Sequence, residues 1–197
     1  MDLEYLKQAT RPEHEGTEDT VALMDPALTR ADYVRTLQQM YGAVRGWDDW
    51  AAQHTPPTLL PLLEGRRRSP LIEADLDYLG AEIPALKHRP TPWFSSDVHS
   101  QPEACYASFL GAMYVMEGST LGGQYIARHV EQALGLQPGA GNAYFRGYGD
   151  QTGAMWKSFK TVLAAVPDTH TELVVQSAKR MFGFFAAEMA VQGQNKG

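Results

Sequence analysis

The segment from Ala31 to Ala52, ADYVRTLQQMYGAVRGWDDWAA, decides the fold class of this chain. Its apolar side chains recur at steps of three and four residues, at Tyr33, Leu37, Met40, Tyr41, Val44, Trp47 and Trp50. Polar side chains occupy the positions between them, which form the opposite face of a helix, at Arg35, Gln38, Gln39, Arg45 and Asp48. This spacing matches the α-helical period and therefore predicts an amphipathic helix with one buried face.

The composition extends this interpretation to the rest of the chain. Ala and Leu together account for 43 of the 197 residues, whereas Val and Ile account for only 14. Strong helix formers thus outnumber β-branched aliphatic residues threefold, and no segment alternates with the period of a strand. We therefore expect an all-α fold. No internal repeat or linker divides the sequence, so residues 1–197 are expected to form a single domain.

Helical patterns recur along the sequence and predict further helices at Leu3–Met24, Leu59–Leu63, Leu71–Leu79, Glu103–Leu134, Gln151–Ala165 and His170–Val191. Pro12 predicts a kink or a restart in the first of these, and Thr10 with Glu13 would form the capping box of a restarted helix. The stretch Ile83–Pro102 contains four of the twelve prolines and is expected to be a long surface connection. The glycine-rich stretch Gly135–Gly149 is expected to be a loop.

Charge and cysteine content exclude several classes of protein. The chain carries 17 Lys and Arg against 23 Asp and Glu, a net charge of −6, which disfavours nucleic acid as a partner. Cys105 is the single cysteine and excludes an internal disulfide or a Cys-rich zinc site. No apolar run is long enough for a membrane span, and the segment Met1–Glu4 does not resemble a signal peptide. A cytoplasmic protein is expected.

The segment GSTLGGQ, residues 118–124, is expected to interrupt the predicted helix Glu103–Leu134, and it lies between two stretches with helical character. A glycine in a helix interior costs about 1 kcal/mol relative to alanine, so Gly118, Gly122 and Gly123 cost roughly 3 kcal/mol together. One interpretation is a helix bent over a flat ligand, where the missing side chains let the backbone approach closely. Tight packing between helices, or a loop that joins two helices, would explain the same glycines.

His14 is the second candidate site residue. Lys7 precedes it by seven residues, which is two helical turns on nearly the same face and about 10.5 Å along the axis. That spacing would place an imidazole on a haem iron and an ammonium group near the haem propionates. Taken alone, a helical histidine is more often a surface residue or a hydrogen-bonded core residue, and Lys7 alone is explained as a solvated surface lysine.

A third cluster spans Met155 to Lys160 and is followed by Phe182 on the last predicted helix. Lys157 and Lys160 share a helix face beside Trp156, where they would receive the carboxylates of an aromatic ligand. An ordinary amphipathic helix explains the same residues. The sequence contains no His-Glu-x-x-His pair, nucleophile elbow, Walker loop or dinucleotide-binding fingerprint.

Taken together, these residues resemble the haem oxygenase family, and most closely the bacterial branch that accompanies bacteriophytochromes. The resemblance covers nearly the whole chain and is carried by the segment Leu6–His14, by Glu18 and by the segment Gly118–Gln124. It implies a helical fold in which haem is sandwiched between the first helix and a glycine-kinked distal helix. It also implies that His14 is the proximal ligand of the haem iron.

The resemblance further implies roles for individual residues. The catalytic positions would be Gly118, Ser119 and Gly122, and the other haem contacts would be Lys7, Glu18, Tyr114, Gly123, Lys157, Lys160 and Phe182. Three positions depart from the family pattern. Ser119 stands where animal-type members have an aspartate that organises water, Tyr114 lies one position from the family tyrosine, and Thr161 stands where an arginine is expected.

The activity implied is oxidative cleavage of haem, which serves as cofactor and substrate, to biliverdin, carbon monoxide and iron. Oxygen and an external electron donor, a ferredoxin or a reductase, would be required, and a bacteriophytochrome would accept the biliverdin. Because Ser119 replaces the acid, a haem carrier or sensor of the same fold without turnover is an alternative. A helical enzyme that acts on another small ring compound is a further one.

Overall fold

The computed structural model describes residues 1–18, 22–86 and 102–193, and leaves out the side chains of residues 17, 18, 22 and 191–193. Within these ranges the regular structure is helical and no strand occurs, which confirms the all-α class. The helices are α1 (Leu3–Ala9), α2 (Arg11–Glu18), α3 (Arg30–His54), α4 (Leu60–Leu63), α5 (Ser69–Tyr78), α6 (Pro102–Leu134), α7 (Ala143–Arg146), α8 (Thr152–Ala164) and α9 (Thr171–Gly193). None of these helices is sufficiently long and apolar to cross a membrane.

The first predicted helix is two helices. α1 ends at Ala9 and α2 begins at Arg11, so the predicted restart is confirmed, although it falls at Thr10, two residues before Pro12. The Thr10 hydroxyl donates to the Leu6 carbonyl at 2.9 Å, which uses the side chain at the end of α1. Pro12 occupies the first turn of α2, where the missing N–H would have no helical partner.

The predicted buried face of α3 is confirmed. Trp47 and Trp50 lie in the core, with ring centroids 5.5 and 5.7 Å from that of Phe109 on α6. Asp48, predicted on the polar face, is an exception because it is buried. Its carboxylate accepts the N–H groups of Arg68 at 3.0 Å and Ser69 at 2.7 Å, and so caps the start of α5.

The expectation that the glycines interrupt the predicted helix at Glu103–Leu134 is wrong. Helical structure continues from Pro102 to Leu134 as α6, and this helix packs along α9. Gly111 permits the close approach, since a Cβ there would collide with the Val174 carbonyl and lie 2.9 Å from the Ser177 Cβ. The two helices therefore form the centre of the fold.

The glycine-rich stretch Gly135–Gly149, expected to be a loop, contains the short helix α7. Asp75 of α5 organises its start, because its carboxylate accepts the N–H groups of Ala143 at 2.7 Å and Tyr144 at 2.8 Å. α7 then packs against α6. Of the predicted connection Ile83–Pro102, residues 87–101 lie outside the described ranges.

Candidate functional site

One face of α6 is open at two glycines that are one helical turn apart. A Cβ atom built on Gly122 would meet no described atom within 4 Å, and one built on Gly118 would meet only Trp156, at 3.9 Å. Beside them Leu121 is 39% exposed and Tyr125 is 69% exposed. We call Gly118 and Gly122 the open glycine face. It offers a flat ligand direct access to the helix backbone, as the first interpretation of these glycines requires.

Gly123 has a different environment. A Cβ atom there would lie 2.8 Å from the carbonyl oxygen of Phe145 on α7. The residue is buried, and the packing interpretation explains it because only glycine lets the two helices approach so closely. The structure therefore places Gly123 against α7 and does not bring it to the open glycine face.

Tyr114 and α8 border the open glycine face. Tyr114 lies one turn before Gly118 on the same face of α6, and its ring centroid is 5.9 Å from that of Trp156. Its phenol contacts Thr10 at the junction of α1 and α2, and burial raises its pKa. The ammonium group of Lys160 lies 5.7 Å from the centroid of the Trp156 ring. Two of the predicted haem contacts, Tyr114 and Lys160, are thus brought together by Trp156.

His14 lies on the surface of α2, and its ring meets Phe182 of α9 edge-on, with centroids 5.7 Å apart and an interplanar angle of 79°. The neighbouring Glu13 forms an ion pair of 3.2 Å with Lys179 of α9. These two contacts hold α2 against α9. The structure therefore brings together His14 and Phe182, which the sequence analysis assigned to the same site.

The remaining predicted residues are less closely tied to this site. Lys7 on α1 and Lys157 on α8 are exposed. Thr161, at the position of the expected arginine, donates its hydroxyl to the Lys157 carbonyl at 3.1 Å. Glu18 is the last residue of α2, and its side chain is among those that the structure does not describe.

Ser119 is held by a buried arginine. Its hydroxyl donates to the Met116 carbonyl at 2.8 Å and accepts from Nη1 of Arg68 at 2.9 Å. Arg68, 2% exposed, comes from the connection between α4 and α5 and also donates to the carbonyls of Met116 and Tyr144, each at 3.1 Å. Its guanidinium carbon lies 4.2 Å from the centroid of the Tyr144 ring. A fixed cation thus lies behind the turn that carries the predicted catalytic residues.

A second buried arginine holds Glu117, the residue before the first glycine of the open face. Arg66 forms an ion pair with Glu117, and it donates to the Met155 carbonyl at 3.2 Å and the Ser158 hydroxyl at 3.0 Å. The Tyr148 hydroxyl donates to Glu117 at 2.6 Å. Burial raises the pKa of Glu117, and burial with the neighbouring carboxylate raises the pKa of Tyr148. Glu117 and Ser119, which flank Gly118, are therefore each bonded to a buried arginine.

Arg66 and Arg68 could not be recognised from the sequence. Both belong to the run Arg66-Arg67-Arg68, and such a run is ordinarily a solvated surface. Only Arg67 is exposed. The run lies outside any helix, so no periodicity distinguished the two buried side chains from the exposed one between them.

The helical fold defines a class, since solved haem oxygenases share it. The NO- and CO-bound heme oxygenase from Neisseria meningitidis superposes with a TM-score of 0.77 at 20% identity, covering 96% of this chain and 90% of that one. Heme oxygenase-1 from the cyanobacterium Synechocystis sp. PCC6803, solved in complex with heme, gives a TM-score of 0.65 at 15% identity, covering 95% and 90%.

The family follows from the sequence. The family model "Heme oxygenase" matches residues 2–190. A heme oxygenase from Xanthomonas campestris pv. campestris (strain 8004) is 28% identical over 171 residues, covering 82% of this chain and 91% of that protein. The chain belongs to the haem oxygenase family. It is a haem-degrading oxygenase, with haem as both substrate and cofactor, which confirms the predicted activity and cofactor.

Proposed function

We propose that haem binds between α2 and the open glycine face of α6, with His14 as the proximal ligand of its iron. The open face carries the proposal, because a flat ring can occupy the space that the Cβ atoms of Gly118 and Gly122 would otherwise fill. Imidazole is an ordinary axial ligand of haem iron. The imidazole of His14 is exposed, and its edge contact with Phe182 holds the ring on the α9 side of α2.

We propose that Lys7, Lys157 and Lys160 bind the propionates of haem, as the family resemblance implies. Lys7 and Lys157 are solvated, and Lys160 packs over Trp156. A lysine ammonium provides a compact charge for a carboxylate. Glu18 follows His14 by four residues in the sequence, and we propose it as a further haem contact.

The chain and the bound haem have separate tasks in this reaction. Haem supplies the oxygen chemistry and is itself cleaved to biliverdin, carbon monoxide and iron. The chain orients the ring and limits access of water to it. We propose that Gly118 and Gly122 allow the backbone to lie close to the ring, and that Ser119 provides the polar side chain at this point of α6. Tyr114 and Phe182 would contact the ring from α6 and α9.

Further expectations concern the cellular setting. We propose a cytoplasmic protein in which residues 1–197 act as one domain, an electron donor that is a ferredoxin or a reductase, and a bacteriophytochrome that accepts biliverdin. The resemblance of Leu6–His14 and Gly118–Gln124 to the phytochrome-associated branch supports the acceptor. The single cysteine, Cys105, supports the location because it leaves no internal disulfide to require an oxidising compartment.

A hemin titration followed by turnover tests the assignment. The protein receives one equivalent of hemin, and its visible spectrum is followed after ascorbate is added in air. His14→Ala should lose the histidine-ligated Soret spectrum and yield no bile pigment. His170→Ala is the matched control, because it removes a half-buried imidazole from the residue just before α9, and it should behave as the wild-type protein.

The outcomes separate the assignments clearly. A Soret band that decays while bile-pigment absorption rises supports turnover, and its loss in His14→Ala alone supports the ligand. A wild-type Soret band that persists with both ascorbate and a reductase system would instead indicate a haem carrier. An unchanged spectrum in His14→Ala would refute the ligand assignment.

A further inference from the structure

We infer that Arg68 is the positioning residue of the turn from Met116 to Gly122, and that it holds the helix backbone in place beside the haem. The inference rests on the proposed haem position. Its structural basis is the guanidinium group of Arg68, which contacts both Met116 and Ser119. These two residues enclose Glu117 and Gly118, the first glycine of the open glycine face.

The Met116 carbonyl receives two donors beyond the helix backbone. Nη1 of Arg68 donates to it at 3.1 Å, and the hydroxyl of Ser119 donates to it at 2.8 Å. Side-chain donors at a helical carbonyl compete with the backbone N–H group and tend to bend the helix locally. Glycine has little intrinsic preference for one backbone conformation, so the turn around Gly118 needs an external anchor. Arg68 supplies it.

Arg68 can act as an anchor because it is itself fixed at both ends. Its backbone N–H donates to the buried carboxylate of Asp48 on α3, and its guanidinium stacks on Tyr144 and bonds the Tyr144 carbonyl at the start of α7. Its Nε is buried with no partner among the described residues. Breaking the contacts of a buried, hydrogen-bonded charge is costly, so these bonds hold the guanidinium group in one place.

The same contacts define what Ser119 does. Its hydroxyl proton is directed to the Met116 carbonyl, and one of its lone pairs accepts from Arg68. The serine is therefore not a substitute acid for the aspartate of animal-type members. The polar group behind this turn is the guanidinium cation of Arg68, which acts through Ser119.

The experiment compares Arg68→Met and Arg68→Lys with Arg67→Met, which removes the exposed cation next in sequence. Hydrogen exchange of the haem-free protein is measured over residues 116–124. Arg68→Met should accelerate exchange there about tenfold or more, because bonds to a charged donor are lost from the turn. Arg68→Lys should be intermediate, and Arg67→Met should match the wild-type protein.

A second readout distinguishes positioning by the cation from general loosening. The ferric haem complex is titrated spectroscopically through its acid–alkaline transition. A nearby cation favours the anionic form, so Arg68→Met should raise the midpoint by about half a pH unit or more, whereas Arg68→Lys should restore it. Arg67→Met should leave the midpoint unchanged.

The inference is overturned if folded Arg68→Met exchanges over residues 116–124 like Arg67→Met. It is also overturned if exchange rises equally along the whole of α6 and α9. Should Arg68→Met fail to fold, the same comparisons apply to Arg68→Lys. Exchange is measured without haem, so a failure of haem binding would count against the proposed function and leave this readout intact.

Discussion

Substituting alanine for two adjacent glycines of α6 should have opposite effects on stability and binding. A Cβ at Gly122 meets open space, whereas a Cβ at Gly123 would lie 2.8 Å from the Phe145 carbonyl oxygen. Gly122→Ala should therefore stabilise the haem-free protein and impair haem binding. Gly123→Ala should destabilise the protein and leave the haem affinity of its folded fraction unchanged.

The magnitudes follow from these environments. In a helix interior alanine is favoured over glycine by about 1 kcal/mol, so Gly122→Ala should raise Tm by about 2–4 °C in a chain of this size. Gly123→Ala gains the same propensity, but it forces a backbone carbonyl of α7 to move. Overpacking of this kind costs about 1–3 kcal/mol, so the net change should be a loss of up to about 2 kcal/mol.

Urea unfolding of the haem-free variants measures the stability, and hemin titration by Soret absorbance measures the affinity. The methyl group of Gly122→Ala would stand where the ring approaches the helix, so hemin should bind at least tenfold more weakly. Gly153→Ala on α8 is the matched control, since its Cβ also meets no described atom within 4 Å. It should leave hemin affinity unchanged.

Two results would refute this reasoning. If Gly122→Ala destabilises the haem-free protein as much as Gly123→Ala, the face at Gly122 is not open. If Gly122→Ala is stable and binds hemin with wild-type affinity, haem does not lie on the open glycine face, and the proposed position is wrong.

Two further predictions concern buried charges. Burial raises the pKa of Asp75 from 3.8 to about 6, so the native state binds this proton more tightly than the unfolded state. The free energy of unfolding is measured by urea unfolding for the wild-type protein and for Asp75→Asn. The wild-type value minus the variant value should rise by up to about 3 kcal/mol as the pH falls from 7 to 4. A difference that does not change with pH would contradict this. Arg66→Met leaves Glu117 buried without its cation and should cost about 3–5 kcal/mol. Adding Glu117→Gln should recover most of that loss in a double-mutant cycle, and simple additivity would show that the pair is not coupled.

Much of the fold could be predicted from the sequence because helical burial leaves a periodic pattern. The apolar spacing over Ala31–Ala52 predicted the buried face of α3, and it is confirmed at Trp47 and Trp50. The four-residue helix α7 was missed, because so short an element contains too little of the period to be recognised. Its start depends instead on Asp75, a residue far away in the sequence.

The candidate site residues could be proposed from the sequence for a similar reason. Glycines inside a helix are locally unfavourable, and this local cost singled out residues 118–124 before any contact was known. The spacing of Lys7 and His14 likewise indicated a shared helix face, although α1 and α2 prove to be separate helices. The resemblance to the family then connected these segments to haem.

By itself, the sequence determined the helical class, the family and the two segments in which the haem site is proposed. Only the tertiary structure decided that Gly118 and Gly122 face open space while Gly123 faces α7, and that Arg68 is buried while Arg67 is exposed. The physical reason is that propensity and periodicity depend on neighbours within one or two helical turns. The environment of a glycine or an arginine depends on which distant helix packs against it, and that information is absent from the local pattern.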